Sequence, residues 1–211
     1  AVLASGAALG VCAMEYLAPA DYEPWKARLA RGEVSAATAS AVGSGLASMH
    51  AAFAGSATAG VEFETGDAFH ALRLEPYLLA TARAHADTAG VPEDLAERTS
   101  RTKVTVVHGD ISPKNILIGK RGPVFLDAEC AWFGDPAFDL AFCLNHLLLK
   151  TLWVPASEAD LLGSFDALKD RAEFEYLNLQ PTSFVLPPEA VDRLRAAAGT
   201  IIRASPEFNR L

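Results

Sequence analysis

An α+β fold is what the order of periodicities along this 211-residue chain predicts. Helical spacing governs the segments up to Arg101, three short β-branched runs follow, and helical spacing then returns. Strands and helices do not alternate as a βαβ sheet would require. The chemistry-bearing side chains gather in the β region and just after it, between His108 and Asp139.

Taken in order, residues 1–17 read as one or two buried strands, apolar runs punctuated by Gly6 and Gly10. Pro19 and Pro24 break the pattern, so residues 18–34 read as a linker with a short helix. Residues 35–54 predict a helix, with Ser35 as its cap and Val42, Leu46, Met49 and Phe53 at helical spacing, although Gly43 and Gly45 weaken its propensity. A second amphipathic helix spans residues 67–86, kinked or split by Pro76. A third short helix over 91–101 has Pro92 near its first turn. The runs "KVTVVHGD", "NILIG" and "PVFLDAE" predict three strands. Residues 137–150 predict a buried helix, and 157–172 another, with Ser157 as its cap and Glu158 and Asp160 in its first turn. Beyond Glu173 the signal mixes strand-like and Pro-rich stretches, with a helix-like run over 190–205.

The apolar fraction of 51% supplies a sizeable core. A net charge of -8 without a Lys/Arg cluster argues against nucleic acid or an anionic membrane as partner, and tolerates a cationic small molecule. Cys12, Cys130 and Cys143 are far apart and lack metal-ligand or redox spacing, so they read as thiols of a reducing cytoplasmic compartment. No basic residues precede the apolar start, as a signal peptide would need, and the apolar run is too short for a membrane span before Glu15. The chain opens abruptly without Met, so we expect it to be part of something longer.

In "VVHGDISPKNILIG", residues 106–119, a carboxylate, an ammonium and an amide crowd the gap between two strands. Antiparallel pairing of the second and third strands would bring Asn115 and Asp127 to the same end. Two hard oxygens converging there suit Mg²⁺, which takes one or two carboxylates together with substrate phosphates. Asp110 would then be free to hold a hydroxyl.

The runs H-G-D-I-S-P-K-N, then L-D-A-E, then G-D-P-A-F-D-L-A strongly resemble the aminoglycoside phosphotransferase and choline-kinase-like family. The D-A-E tripeptide is a modest departure from that family's D-F-G or D-F-E. The resemblance implies a protein-kinase-like fold, with Asp110 as the catalytic aspartate that orients the substrate hydroxyl, and Asn115 and Asp127 as ligands of Mg²⁺ at the phosphates of ATP. It implies that Asp139 braces the loop; His108 itself reads as a catalytic base or as a structural histidine that pins the loop by hydrogen bonds. "MEYL" at 14–17 resembles the hinge between two lobes, where the backbone of Glu15 and Leu17 would meet adenine.

By the same resemblance, residues 1–17 are the end of an N-lobe sheet and hinge, and 18–211 a helical C-terminal lobe with its catalytic loop at 106–119 and metal-binding segment at 124–139. A glycine-rich loop and strand lysine are also implied, yet the thirteen residues before Met14 contain neither. Phosphotransfer by this chain alone is therefore expected to be incomplete.

Other residues keep open readings. Glu129 is a second metal ligand, a substrate contact or a solvated residue; Ser112 touches substrate or makes a local turn bond; Lys114 meets a phosphate or solvent. Asp135 with Pro136 reads as a turn and cap. His50, His70 and His85 read as structural or exposed, and Leu147–Leu149 and the tryptophans as core. The expected activity is ATP- and Mg²⁺-dependent phosphorylation of a hydroxyl on an amino sugar, amino alcohol or related small molecule. The alternatives are a non-catalytic pseudokinase-like module and a metal-dependent hydrolase ligated by His108, Asp110 and Asp127.

Overall fold

The computed structural model describes residues 2–178, so the run expected to be helical over 190–205 lies outside the described residues. An antiparallel hairpin comes first: β1 (Val2–Gly6) pairs with β2 (Val11–Met14). Val2, Leu3, Val11 and Met14 are each more than half exposed, which corrects the expectation of buried strands. Apolar runs signal strands, but burial needs a second layer, and both faces of this hairpin stay open to solvent among the described residues.

The linker expected at 18–34 does hold a helix, α1 (Trp25–Ala30), but also a strand, β3 (Tyr22–Pro24). β3 is the edge of a three-stranded antiparallel sheet, pairing with β5 (Ile116–Gly119), which pairs with β6 (Gly122–Phe125). An edge is where a strand can end in proline. The three β-branched runs do not form one meander. β4 (Thr105–Val107) turns away from β5 and pairs instead with β7 (Trp132–Gly134). The loop between β4 and β5 thus joins two separate sheets.

α2 (Ala36–Phe53) is capped as expected, with Ser35 Oγ accepting from the Thr38 N–H at 3.3 Å. Its glycine at 43 is a packing requirement: a Cβ there would lie 2.5 Å from the Leu168 carbonyl of α8 (Glu158–Asn178). α3 (Ala57–Glu62) and α4 (Gly66–Phe69) follow. Where one kinked helix was expected, α4 runs into a π-helix, His70–Leu79, containing Pro76, and then into α5 (Ala80–Ala84). Pro76 has no N–H for an α-helical ladder, and the wider i→i+5 turn accommodates the break. α6 (Gly90–Arg101) starts with Pro92 inside its first turn, and α7 spans Ala137–Trp153.

Two cores hold these elements. Trp25, Leu29, Leu46, Ile116, Leu147 and Leu168 lie in one, and Phe69, Leu74, Val107 and Trp132 in the other, where Phe69 stacks on Trp132 at 4.2 Å. Leu148, Leu149 and Trp153 are exposed rather than core, because α7 buries one face only. The helix expected at 157–172 begins at Glu158, after a 3₁₀ turn, and runs on to Asn178. No helix among the described residues is long and apolar enough to cross a membrane.

Candidate active site

The loop from His108 to Asn115 is strung between the two cores, with Val107 anchored in one and Ile111 and Ile116 in the other. All of it but Lys114 is buried. A buried loop is tolerable only if its backbone polar groups find partners. Asp139 Oδ2 accepts from the His108 N–H and Oδ1 from the Gly109 N–H, both at 2.8 Å. Within the loop, the Asp110 N–H points to His108 Nδ1 at 3.3 Å, the Ser112 N–H to the Asp110 carbonyl and the Asn115 N–H to the Ser112 carbonyl. Outside groups take the carbonyls: Arg73 Nε donates to Gly109 O at 2.6 Å, the Lys26 N–H to Pro113 O, and the Leu126 N–H to Asn115 O.

Asp139, fully buried at the start of α7, also accepts from His50 Nε2 at 2.9 Å. His50 in turn takes the Thr105 hydroxyl on its carbonyl, so α2, β4, α7 and the loop form one hydrogen-bonded unit. His50 therefore supports the loop from the last turn of α2, a pairing no local sequence pattern announces; His70 and His85 are exposed, as expected. His108 is held low in pKa chiefly by burial, against the opposing pull of Asp139 and Asp110. Its Nε2 is buried and makes no well-formed hydrogen bond.

Gly109 has φ +79°, and a Cβ on it would sit 2.6 Å from the Cys130 carbonyl. Only glycine fits between β4 and that strand-connecting turn. Cys130 is buried there, its thiol pushed up by desolvation, with the charges of Arg73, Glu129, Asp110 and Asp127 all acting on it.

Asp110 is buried, and two cations share its Oδ2: Arg73 Nη2 at 3.1 Å and Lys114 Nζ at 3.1 Å. Among the described residues no donor takes Oδ1. Lys114, left between phosphate and solvent from sequence, thus reaches back to the carboxylate four residues before it. Arg73 was not singled out in the sequence at all. It is buried on the π-helix, where it also donates from Nη1 to Leu72 O. The sequence signal was an arginine inside the apolar run "ALRLEPYLL", next to Leu74, which is buried in a core.

Asn115 and Asp127 do lie at the same end of the β5–β6 pair, since the residue preceding Asp127 donates to the Asn115 carbonyl at 2.9 Å. Asn115 Nδ2 donates to the Asp110 carbonyl at 3.1 Å, which orients the amide and leaves its oxygen as the atom for a cation. Asp127 is exposed and has φ 68°, the one non-glycine residue with positive φ among the described residues. Held strain of this kind gathers at functional positions. The donor set of one amide oxygen and one carboxylate fits an ion that completes its shell with phosphates and water. Among the described residues no three His, Cys, Asp or Glu side chains cluster to cage a metal by themselves.

The remaining expected residues are dispersed. Glu129 is exposed in the turn after Asp127. Ser112 is buried, and its Oγ has no partner. Asp135 Oδ1 accepts from the Ala137 N–H at 2.9 Å, as a cap would. Glu15 and Leu17 lie in the connection between β2 and β3, and the Glu15 carboxylate meets Arg121 of the β5–β6 turn at 3.0 Å. The hydrolase alternative needs His108, Asp110 and Asp127 to converge on one metal, and among the described residues no three such side chains do so.

A carboxylate fixed on a braced loop, with oxygens for a cation at the loop's far end, can position a hydroxyl and balance the charge of phosphates without a nucleophile of its own. That is the equipment of a phosphotransferase. The family model described as "Phosphotransferase enzyme family" (APH) matches residues 1–177, and the chain belongs to that family. Membership makes it a kinase-type enzyme in general character and implies a protein-kinase-like fold. No curated protein matches the chain.

Proposed function

We propose that this protein transfers the γ-phosphoryl group of ATP to a hydroxyl of a small molecule, with Asp110 as the residue that receives or orients the hydroxyl proton. The observation that carries this reading is the division of labour at Asp110: Oδ2 is held by Arg73 and Lys114 while Oδ1 is left for a hydroxyl. Held in this way, the carboxylate gains direction without spending its second oxygen. Asn115 and Asp127 would hold Mg²⁺, which supplies charge neutralisation at the phosphates when bound. Asp139 and His50 keep the loop in place, and the backbone of Glu15 and Leu17 would meet adenine.

The test measures ATP consumption against a panel of hydroxylated metabolites. Substrate-dependent consumption is expected, falling by roughly 10²–10⁴-fold in Asp110→Asn, with the far-UV circular dichroism unchanged. Undiminished turnover in that variant would remove Asp110 from the mechanism.

A further inference from the structure

Beside Asp110 lies a small basic cavity. Lys26, Ser112, Pro113, Lys114, His146 and Lys150 line it, and its volume is about 90 Å³, enough for a small polyatomic group. The residues come from α1, the loop and α7, so the cluster is assembled by the fold. Lys26 is fixed by its backbone bond to the Pro113 carbonyl. Lys26 and Lys150 both lie at the Trp153 ring, at 6.0 and 4.5 Å from its centroid. Lys114 Nζ is the link to the site, since it lines the cavity and pairs with Asp110.

Two observations show that this cluster lacks something. Ser112, 1% exposed, is one of its walls, and its hydroxyl has no hydrogen-bond partner. A buried hydroxyl without a partner is costly unless a ligand or water completes it. No carboxylate of the described residues pairs with Lys26 or Lys150, although the chain carries a net charge of -8. The crowding is felt: burial and then Lys26 lower the pKa of Lys150, and burial, Lys150 and Lys114 lower that of His146. An anion placed among these groups would relieve the repulsion between the two lysines and His146.

We propose that the Lys26–Ser112–Lys150 cavity is an oxyanion subsite, which takes a carboxylate or phosphate group belonging to the phosphate acceptor. The acceptor is then a small hydroxylated anion, its hydroxyl at Asp110 and its negative group in the cavity. This replaces the cationic acceptor that net charge alone tolerates, because the local field at the site, not the total, faces the substrate. The word acceptor rests on the phosphotransferase reading; the oxyanion site itself does not.

The experiment titrates inorganic phosphate into the full chain, following the His146 ring resonances by NMR, and repeats this with Lys26→Gln and Lys150→Gln. Phosphate is expected to shift the His146 signals and raise its pKa, and each lysine variant to weaken phosphate binding about tenfold, the size of one charge-assisted bond. Equal phosphate affinity in wild type and both variants overturns the subsite, as does the absence of any phosphate response. A parallel titration with the non-hydrolysable Mg²⁺–AMP-PNP separates the two sources of an anion. Unchanged nucleotide affinity in the lysine variants is expected; a fall in step with phosphate affinity assigns the cavity to the nucleotide tail and overturns the acceptor assignment. Binding is read without turnover, so an inactive chain that still binds phosphate through these lysines sinks the phosphotransferase reading alone.

Discussion

The guanidinium of Arg73 and the carboxylate of Asp110 meet at 3.1 Å in an interior that leaves both side chains at most a tenth exposed. The same guanidinium holds the Gly109 carbonyl, so one residue fixes both the backbone and the side chain of the loop at its working end. Removing Arg73 leaves Asp110 to Lys114 alone, whose side chain is largely exposed, and leaves the Gly109 carbonyl without its donor, a loss of about 1.5–3 kcal/mol. Arg73→Met is accordingly expected to lower unfolding free energy by about that much in urea denaturation. Arg73→Lys should fall between, because a single ammonium cannot serve both the carbonyl and the carboxylate in the fork geometry of arginine. If Arg73→Met unfolds at the wild-type urea concentration, the pair contributes nothing to holding the loop.

Gly109→Ala tests the loop from the opposite side. The substitution meets a φ of +79° and the Cys130 carbonyl together, and one of the two backbones must move. A loss of about 2 kcal/mol or more is expected. Hydrogen exchange should show faster exchange at the amides of His108 and Gly109, which now lie on Asp139. Exchange rates equal to wild type would mean that the Cys130 turn yields without disturbing the loop.

His108 gives a pH signature. Burial depresses its folded pKa below the ordinary 6.5, so between that depressed value and 6.5 the unfolded chain binds more protons than the folded one. Stability from this group is whole above pH 6.5, is lost as pH falls through that window, and levels off below the folded pKa. His146 is depressed in the same direction, so part of the slope belongs to it. A series of urea midpoints against pH should show the decline, and His108→Gln should flatten it in part. An unaltered slope in that variant would show that His108 does not resist protonation.

Much of the site could be read locally. The His108–Asn115 loop, the β5–β6 pairing that sets Asn115 beside Asp127, and the Ser35 cap all follow from neighbours in sequence. What could not be read depends on distance or on a changed period. β3 and β7 have three residues each, too few to display alternation. His50 finds Asp139 across the fold, and the basic cavity draws on segments that show no cluster in the linear chain. Around Arg73 the obstacle was the repeat itself. Phe69, then Arg73 and Leu74, then Leu78 and Leu79 turn inward at steps of four to five residues, whereas an α-helical reading looks for 3.6.

The π-helix at His70–Leu79 therefore sets a limit on the length of the chain as well as on its composition. Deleting a single residue from this stretch would let the ladder relax to the more regular i→i+4 pattern, a local gain in helix geometry. The same deletion would carry Arg73 out of phase with Leu78, Leu79 and Ala82, and away from Gly109 and Asp110. The segment most irregular as a helix is thus the one whose residue count is least free to drift, and a better helix here would be a worse support for the loop.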